Sequence, residues 1–523
     1  MTATSNRQYR LGIDVGGTNT DAVILDDELR VIGSVKSPTT ENSGDGIATA
    51  IDEVLARTGV IPESIGHVML GTTHCTNAIV QRRGLSRVGV LRIGGPATTA
   101  VPPLEGWPAD LRDAIGAHDV IVRGGYEVDG RMIAPLDEQE VRAACERMAG
   151  EVDSVAVVGV FSPSNTEQEL RVAEIASEVL GVPVSCSHAV GTIGLLEREN
   201  ATVLNAALQR TLGEMVRGFI RALEQRGIEA TPFLGQNDGT LMRLEYALEF
   251  PVFTIGCGPT NSIRGAAHLS GLANALVVDI GGTTTDIGVL IDGFPRQSAH
   301  AVEIGGIRTN FRMPDVLSVG LGGGTIVRER GVDGTGQLTV GPDSVGYRLT
   351  SEAFAFGGDT LTATDIALAL GTAEIEGTRQ VTLEPELVSK ADQAIRALLE
   401  ESIDRMKPNA NPVPVVLVGG GGVIAPDSLD GVSELIRPDH FGAANAVGAA
   451  LGEVAGYFEK IYQNVSDRAE ARRGAGLEAV ERAVAAGAQR ETVEVVSVEE
   501  IPVAYTDGQA VQIKARAVGK LGH

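Results

Sequence analysis

Two aspartates bracket a Gly-Gly-Thr turn near the start of the chain, and the same constellation returns in its second half. Asp14 and Asp21 bound DVGGTNTD, and Asp279 and Asp286 bound DIGGTTTD. Glycines at Gly16, Gly17, Gly281 and Gly282 leave no Cβ between the backbone N–H groups and an approaching anion. Thr18, Thr20, Thr283 and Thr285 add hydroxyl donors beside them. Asp14 and Asp279 end apolar runs, where a carboxylate can hold Mg²⁺ directly or through water; Asp21 and Asp286 open the return runs with similar reach. A repeated anion cradle with carboxylates suits Mg²⁺ and a polyphosphate. Asp14 and Asp279 are the expected catalytic positions, with Asp14, Asp279 and Asp286 as the metal ligands. The plain alternative, a tight hairpin and no more, is weakened by the second copy.

Two further glycine clusters follow. VVLVGGGGVIA, from Val415 to Ala425, is a buried strand and a turn whose Gly419, Gly420 and Gly421 would let a base and ribose pass closely. Taken alone it reads equally well as a simple connection. LGGGT, from Leu321 to Thr325, brings Gly322 and Gly323 as a lining for the phosphate side. The chain contains neither the G-x-x-x-x-G-K-[ST] of a P-loop nor H-E-x-x-H.

GTTHCTNAIVQRRG carries the substrate candidates Thr72, Thr73, His74 and Asn77, which with Thr76 either cap a helix or present hydroxyls to a substrate. Adjacent His74 and Cys75 point in different directions on a helix, which disfavours a nucleophile–base dyad. His188 reads as a substrate contact or as a structural hydrogen bond. Glu197, Arg198 and Glu199 read as a solvated or interlobe polar face in preference to a catalytic pair. Cys257, between glycines ahead of a helix, is a candidate reactive thiol, since a helix N-terminus lowers thiol pKa.

Positioning these groups requires a duplicated scaffold. LGIDVGGTNTDAVILDD, from Leu11, and LVVDIGGTTTDIGVLID, from Leu276, align at a constant offset of 265 residues. Each is an apolar run, an aspartate, a turn and a second apolar run, which predicts a β-hairpin and two similar halves. Strands are expected at Val88–Ile93 and Ser154–Val160, and helices over Leu136–Met148, Glu167–Leu180 and Glu199–Glu224. The pattern is α/β. Beyond Gly456 a charged, Ala-rich stretch, Asp467–Arg490, precedes β-like alternation with an Asp507-Gly508 turn and Val511, Ile513, Ala515 and Ala517 on one face. These residues predict a β-rich C-terminal appendage that packs on the body or on another subunit.

The chain has 523 residues, enough for three domains, and its formal net charge of −25 argues against a phosphate-backbone binder, so no nucleic acid partner is expected. Four widely separated cysteines form no zinc pattern and fit a reducing compartment. The first ten residues lack the apolar stretch of a secretory signal, and the most apolar windows carry Asp or Gly runs, so a cytoplasmic protein with no membrane partner is expected. With 66 glycines and 4% aromatic residues, a glycine-cradled ligand is favoured over an aromatic-lined one.

Together these motifs resemble the actin-like ATPase superfamily of sugar kinases and heat-shock ATPases, in which two ribonuclease-H-like lobes close over Mg-ATP. The hairpins are similar to its two phosphate motifs and Val415–Gly422 to its adenosine motif. Within it, LGIDVGGTNTDAVILD, GTTHCTNAIVQRRG, SHAVGTIGLLERENATVLNAAL, VVDIGGTTTDIGVL and VGGGG, in that order, resemble the hydantoinase/oxoprolinase family over roughly residues 9 to 455. That resemblance implies an N-terminal lobe (9–200), an ATPase lobe (201–465) and a helical linker with a C-terminal hairpin (466–523). It also implies ATP and Mg²⁺ as cofactors and phosphorylation of a cyclic amide or related small-molecule carbonyl substrate for ring opening. A second hydrolase subunit and a homo- or hetero-oligomer come with it. A small-molecule kinase and a nucleotide-gated interaction protein are the competing expectations. Gln168 stands where relatives commonly carry His before Glu169, and the chain departs from the family pattern after about Gly456.

Overall fold

Strands Tyr9–Val15 and Asn19–Leu25 pair antiparallel as a hairpin, as do Ala275–Ile280 and Thr285–Ile291. The computed structural model describes residues 8–17, 19–39, 43–191, 193–298, 302–310, 313–330, 337–462, 467–502 and 510–522. Thr18 and the Asp507-Gly508 turn lie outside the described residues.

Each hairpin seeds a sheet of the same plan. In the first, the order is 31–38, 19–25, 9–15, 65–72, 231–235, with the first three strands antiparallel and the last two added in parallel. In the second, 294–295, 285–291, 275–280, 413–418 and 432–436 repeat both the order and the directions. The sequence repeat is therefore a repeat of topology, two ribonuclease-H-like lobes of an actin-type α/β fold. Helices cover both faces of the central strands, so 9–15 and 413–418 read as apolar runs without alternation.

The lobes are joined by two helices, Cys257–Ser270 and Ala444–Ala450. Gly265 lies directly against the Ala444 carbonyl and Gly448 against that of Asn261, an approach no Cβ would permit. A four-stranded parallel sheet, ordered 118–123, 88–95, 154–159, 184–186, is built onto the first lobe between residues 88 and 186. The helices expected beside it are present at Glu138–Met148 and Glu167–Leu180, the first capped by Asp137, whose carboxylate accepts from the Gln139 and Glu140 amides.

The 30-residue helix Leu195–Glu224 runs through the first lobe's core, and of the solvated or interlobe polar face expected at its opening turn the burial of Arg198 and Glu199 excludes the solvated one. Glu199 and Arg92 are both fully buried and pair through two contacts of 2.6 Å, with the Leu104 amide also donating to Glu199. Flanking layers on both sides remove the solvent that a two-faced helix would present to these charges.

Sheet membership crosses the sequence intervals 9–200, 201–465 and 466–523. Residues 231–243 and 454–462 extend the first sheet, and the C-terminal strands Glu494–Pro502 and Val511–Gly519 continue it to nine strands. Val511, Ile513, Ala515 and Ala517 are buried, as their alternation predicts, beneath helix Arg468–Ala485 in the core shared with Leu11 and Ile13. Val511–Gly519 thus packs on the body, while Glu494–Pro502 forms the largely exposed outer edge of the sheet. Among the described residues, no helix is long and apolar enough to cross a membrane.

Candidate functional site

Cross-strand register places Asp14 opposite Asp21, and Asp279 opposite Asp286. The two turns close alike: the Gly16 amide donates to the Asn19 carbonyl at 3.0 Å, and that of Gly281 to Thr284 at 2.9 Å. Burial, reinforced by the charges of Asp21 and Asp279, lifts the Asp14 carboxyl to about 7, against the pull of Lys36 and a hydrogen bond from Asn445. Burial, then Asp286, lifts Asp279 to about 6, with Ser262 and Lys36 opposing. Asp14 feels the charge of Asp279, and Lys36, paired with Asp21 on the first hairpin, lies against Gly420 beside the second, so the two hairpins stand close together.

The glycine clusters converge on the second turn. Gly323 donates to the Gly281 carbonyl at 3.0 Å, and a Cβ on Gly322 would stand 2.6 Å from the Thr283 amide. Gly419, at φ +86°, presses against the Asp279 carboxylate, and Gly421 against the Gly281 carbonyl. Gly420 alone faces outward, its missing Cβ 3.6 Å from the Lys36 side chain. Gly322, Gly323, Gly419 and Gly421 therefore gather at one turn with Gly282 and the exposed Thr283. Thr20 and Thr285 do not serve as ligand donors: strand alternation turns both inward, where Thr20 meets Thr39 at 3.3 Å and Thr285 donates to the Leu321 carbonyl at 2.7 Å.

Thr72, Thr73 and Asn77 are brought to the first turn. The Thr73 amide donates to the Val15 carbonyl at 3.2 Å, Asn77 Nδ2 donates to Thr73 Oγ1 at 3.2 Å, and Gly17 lies beside that amide group. Thr72 Oγ1 accepts from the His74 amide at 3.0 Å, opening helix His74–Gln81. His74 is half-buried, and burial holds its imidazole below the ordinary value. Cys257 is a structural thiol and not a reactive one: burial pushes it up to about 12, and its Sγ donates to the Thr72 carbonyl at 3.1 Å.

His188 belongs to a network centred on the buried Glu169. Its ring and its amide both bond to Glu169, which also accepts from Ser187 at 2.6 Å and from the Gly159 amide at 2.9 Å. Burial raises the Glu169 carboxyl, and the bonds and charge of His188 outweigh it, leaving the group below the usual carboxylate range. Gln168, next to it, is held between the Gly125 amide and the Ala134 carbonyl.

Lys36 was not singled out from the sequence. It stands in register opposite Asp21, with Nζ at 2.5 and 2.7 Å from the two carboxylate oxygens. Pairing of the third strand, VIGSVKSP, with the hairpin is the signal that would have found it. Asn261 was missed as well; its buried Nδ2 and the buried Oδ1 of Asp14 both lack a hydrogen-bond partner, and both flank Gly71.

Among the described residues, no three His, Cys, Asp or Glu side chains converge to enclose a cation by themselves. Asp14, Asp279 and Asp286 are therefore not a self-sufficient ligand triad. Mg²⁺ takes one or two carboxylates and completes its octahedron with water and phosphate oxygens, and the unpartnered Asp14 Oδ1 fits that mode.

Residues 10–180 match the model of the hydantoinase/oxoprolinase N-terminal region, and residues 198–411 the hydantoinase/oxoprolinase model. The chain is 29% identical over 394 residues to caprolactamase subunit alpha of Pseudomonas jessenii, covering 70% of this chain and 55% of that protein. It is 29% identical over 437 residues to the acetophenone carboxylase gamma subunit of Aromatoleum aromaticum, covering 75% and 57%. It thus spans little more than half the length of these relatives. The crystal structure of the ATP-dependent caprolactamase from Pseudomonas jessenii shares its fold, with a TM-score of 0.79 at 21% identity over 98% of this chain and 88% of that one. With consecutive models of one family over most of its length and two adjoining aspartate hairpins at its centre, the chain belongs to the hydantoinase/oxoprolinase family.

Proposed function

We propose that this chain is the ATP-using subunit of a hydantoinase- or oxoprolinase-type hydrolase, which phosphorylates the carbonyl oxygen of a cyclic amide so that the ring can open. One arrangement supports this reading above all: two copies of the same turn, each backed by a buried aspartate, stand close together, with glycines crowding the second. Backbone N–H groups at the turns bind phosphate oxygens without competing side chains. Lys36 supplies the cation in front of them. Asp14 and Asp279 would hold Mg²⁺, which screens the phosphate charge as it is transferred. An amide resists attack because its nitrogen lone pair is donated into the carbonyl; transfer of a phosphoryl group to the carbonyl oxygen, with departure of ADP, makes the carbon electrophilic and that oxygen a leaving group. The relatives' names cover a lactam hydrolase and a ketone carboxylase, and activation of a neutral carbonyl is a step both could use.

Relatives named as subunits support a partner chain and an oligomer for this protein too. The test is ATP consumption by the purified chain against hydantoins, 5-oxoproline and lactams, with and without a candidate partner subunit. ADP release in step with ring opening is expected. A stable phosphorylated product would assign a kinase instead. Nucleotide binding without substrate-dependent turnover under any of these conditions would leave a nucleotide-gated interaction protein.

A further inference from the structure

Helix Cys257–Ser270, which joins the lobes, carries two polar residues in its second turn where a buried helix favours alanine. Asn261 is 2% exposed and Ser262 is 1% exposed, and neither Asn261 Nδ2 nor Ser262 Oγ closes a hydrogen bond within the chain. Buried polar groups are nearly always bonded, so two consecutive exceptions call for a physical reason.

The carboxylates beside them supply it. Asp14 and Gly71 are register partners on adjacent parallel strands. A Cβ at Gly71 would lie 2.5 Å from Asp14 Oδ1 and closer still to Asn261 Nδ2, so these two atoms stand within about 5 Å of one another, a span that one bridging water covers. A donor and an acceptor thus meet over a strand position that only glycine leaves open. Ser262 lines a small pocket with Asp279 and Asp286, and its hydroxyl is directed at the Asp279 carboxylate.

Consecutive helical residues project about 100° apart, which lets one turn address a carboxylate in each lobe. The same turn packs the joint: the Asn261 carbonyl lies against Gly448 of the second joining helix, and Asn445, from that helix, hydrogen-bonds Asp14.

We propose that Asn261 and Ser262 are positioning residues, which hold the carboxylates of Asp14 and Asp279 in the setting that binds the divalent cation of a nucleotide complex. The inference rests on the function proposed above and deepens it: one helical turn at the joint sets two carboxylates that belong to different lobes.

The full chain with ADP and Mn²⁺, which favours the same oxygen ligands as Mg²⁺, gives the test, because unbound Mn²⁺ is counted directly by electron paramagnetic resonance. Asn261→Leu and Ser262→Ala should each weaken Mn²⁺ binding in the ADP complex tenfold or more, while ADP affinity in EDTA stays within twofold of wild type. The melting temperature of the unliganded Asn261→Leu chain should be no lower than that of wild type, since no bond is lost. A purely structural role would show the reverse, a lower melting temperature with metal affinity unchanged. Metal affinity within twofold of wild type in either folded variant overturns the proposal, as does an equal loss of metal-free ADP binding. Asn261→Ala replaces the leucine variant if that does not fold; failure of both to fold would make Asn261 a packing residue of the joint and overturn its assignment. If wild type itself binds no Mn²⁺ with ADP, the functional reading falls and takes the inference with it. If wild type binds and the variants match it, the function stands and the inference falls.

Discussion

Lys36 Nζ grips both oxygens of Asp21 from the neighbouring strand, while its stem lies against Gly420 of the opposite lobe. Under the proposed function an incoming phosphate would compete with Asp21 for this ammonium. Lys36→Met should raise the KM for ATP tenfold or more, and Lys36→Arg should recover part of the loss. The lysine is partly exposed, and such pairs are worth about 0–1 kcal/mol, so the melting temperature should move little. Steady-state ATPase assays and thermal melts on the same preparations separate the two effects.

Asp14→Asn should abolish ATP turnover and yet stabilise the unliganded chain at alkaline pH. A carboxyl lifted from 3.8 to about 7 keeps its proton in the folded state after the unfolded chain has lost it. The folded state then binds more protons, and stability falls as pH rises between about 4 and 7. Asparagine has no charge to bury. The variant should therefore exceed wild type at pH 8, by on the order of 1–3 kcal/mol, and the gap should narrow at pH 5. Denaturant titrations at the two pH values check the sign; a gap that widens toward acid would contradict it.

Gly419 and Gly420 should respond oppositely to alanine. Gly419 adopts φ +86° and touches the Asp279 carboxylate, so Gly419→Ala should lower the melting temperature and ATP binding together. Gly420 has ordinary van der Waals space before Lys36, so Gly420→Ala should fold like wild type. With the larger Gly420→Val, calorimetry should show weakened ATP binding at an unchanged melting temperature. An unaffected ATP affinity there would reduce the glycine run to a structural turn.

The Arg92–Glu199 pair is enclosed on every side, so removing one partner strands a charge. Glu199→Leu alone should cost about 3–5 kcal/mol. Arg92→Met with Glu199→Leu should recover most of that, because a buried pair adds little over apolar residues of similar volume. Equilibrium unfolding of the two single variants and the double variant gives the coupling directly.

The hairpins and their aspartates were legible because each lies within one short segment, where an apolar run, a turn and a second run leave few alternatives. The helices at 138–148 and 167–180 were legible by their spacing. Groups whose role depends on non-local pairing were not. Lys36 becomes a site residue only when its strand is paired with Asp21, 15 positions away. Thr20 and Thr285 looked like donors because adjacency to glycine is visible in a sequence, whereas the face a strand turns toward a core is not. Glu199 looked solvated because its partner is 107 positions distant.

The nine-stranded sheet has a consequence for the order in which the protein can be made. Strands 241–243 and 454–462 are neighbours within it, although the entire second lobe lies between them in the chain. That lobe is one continuous stretch, so a ribosome can release it whole and let it fold at once. The first lobe begins earlier and finishes later, its sheet incomplete until residue 519 has emerged. During that interval the strand pair 231–243 waits without its outer neighbour, an unpaired edge that invites association with other nascent chains. Refolding from denaturant should accordingly be slow and concentration-sensitive for the first lobe, and fast for the second.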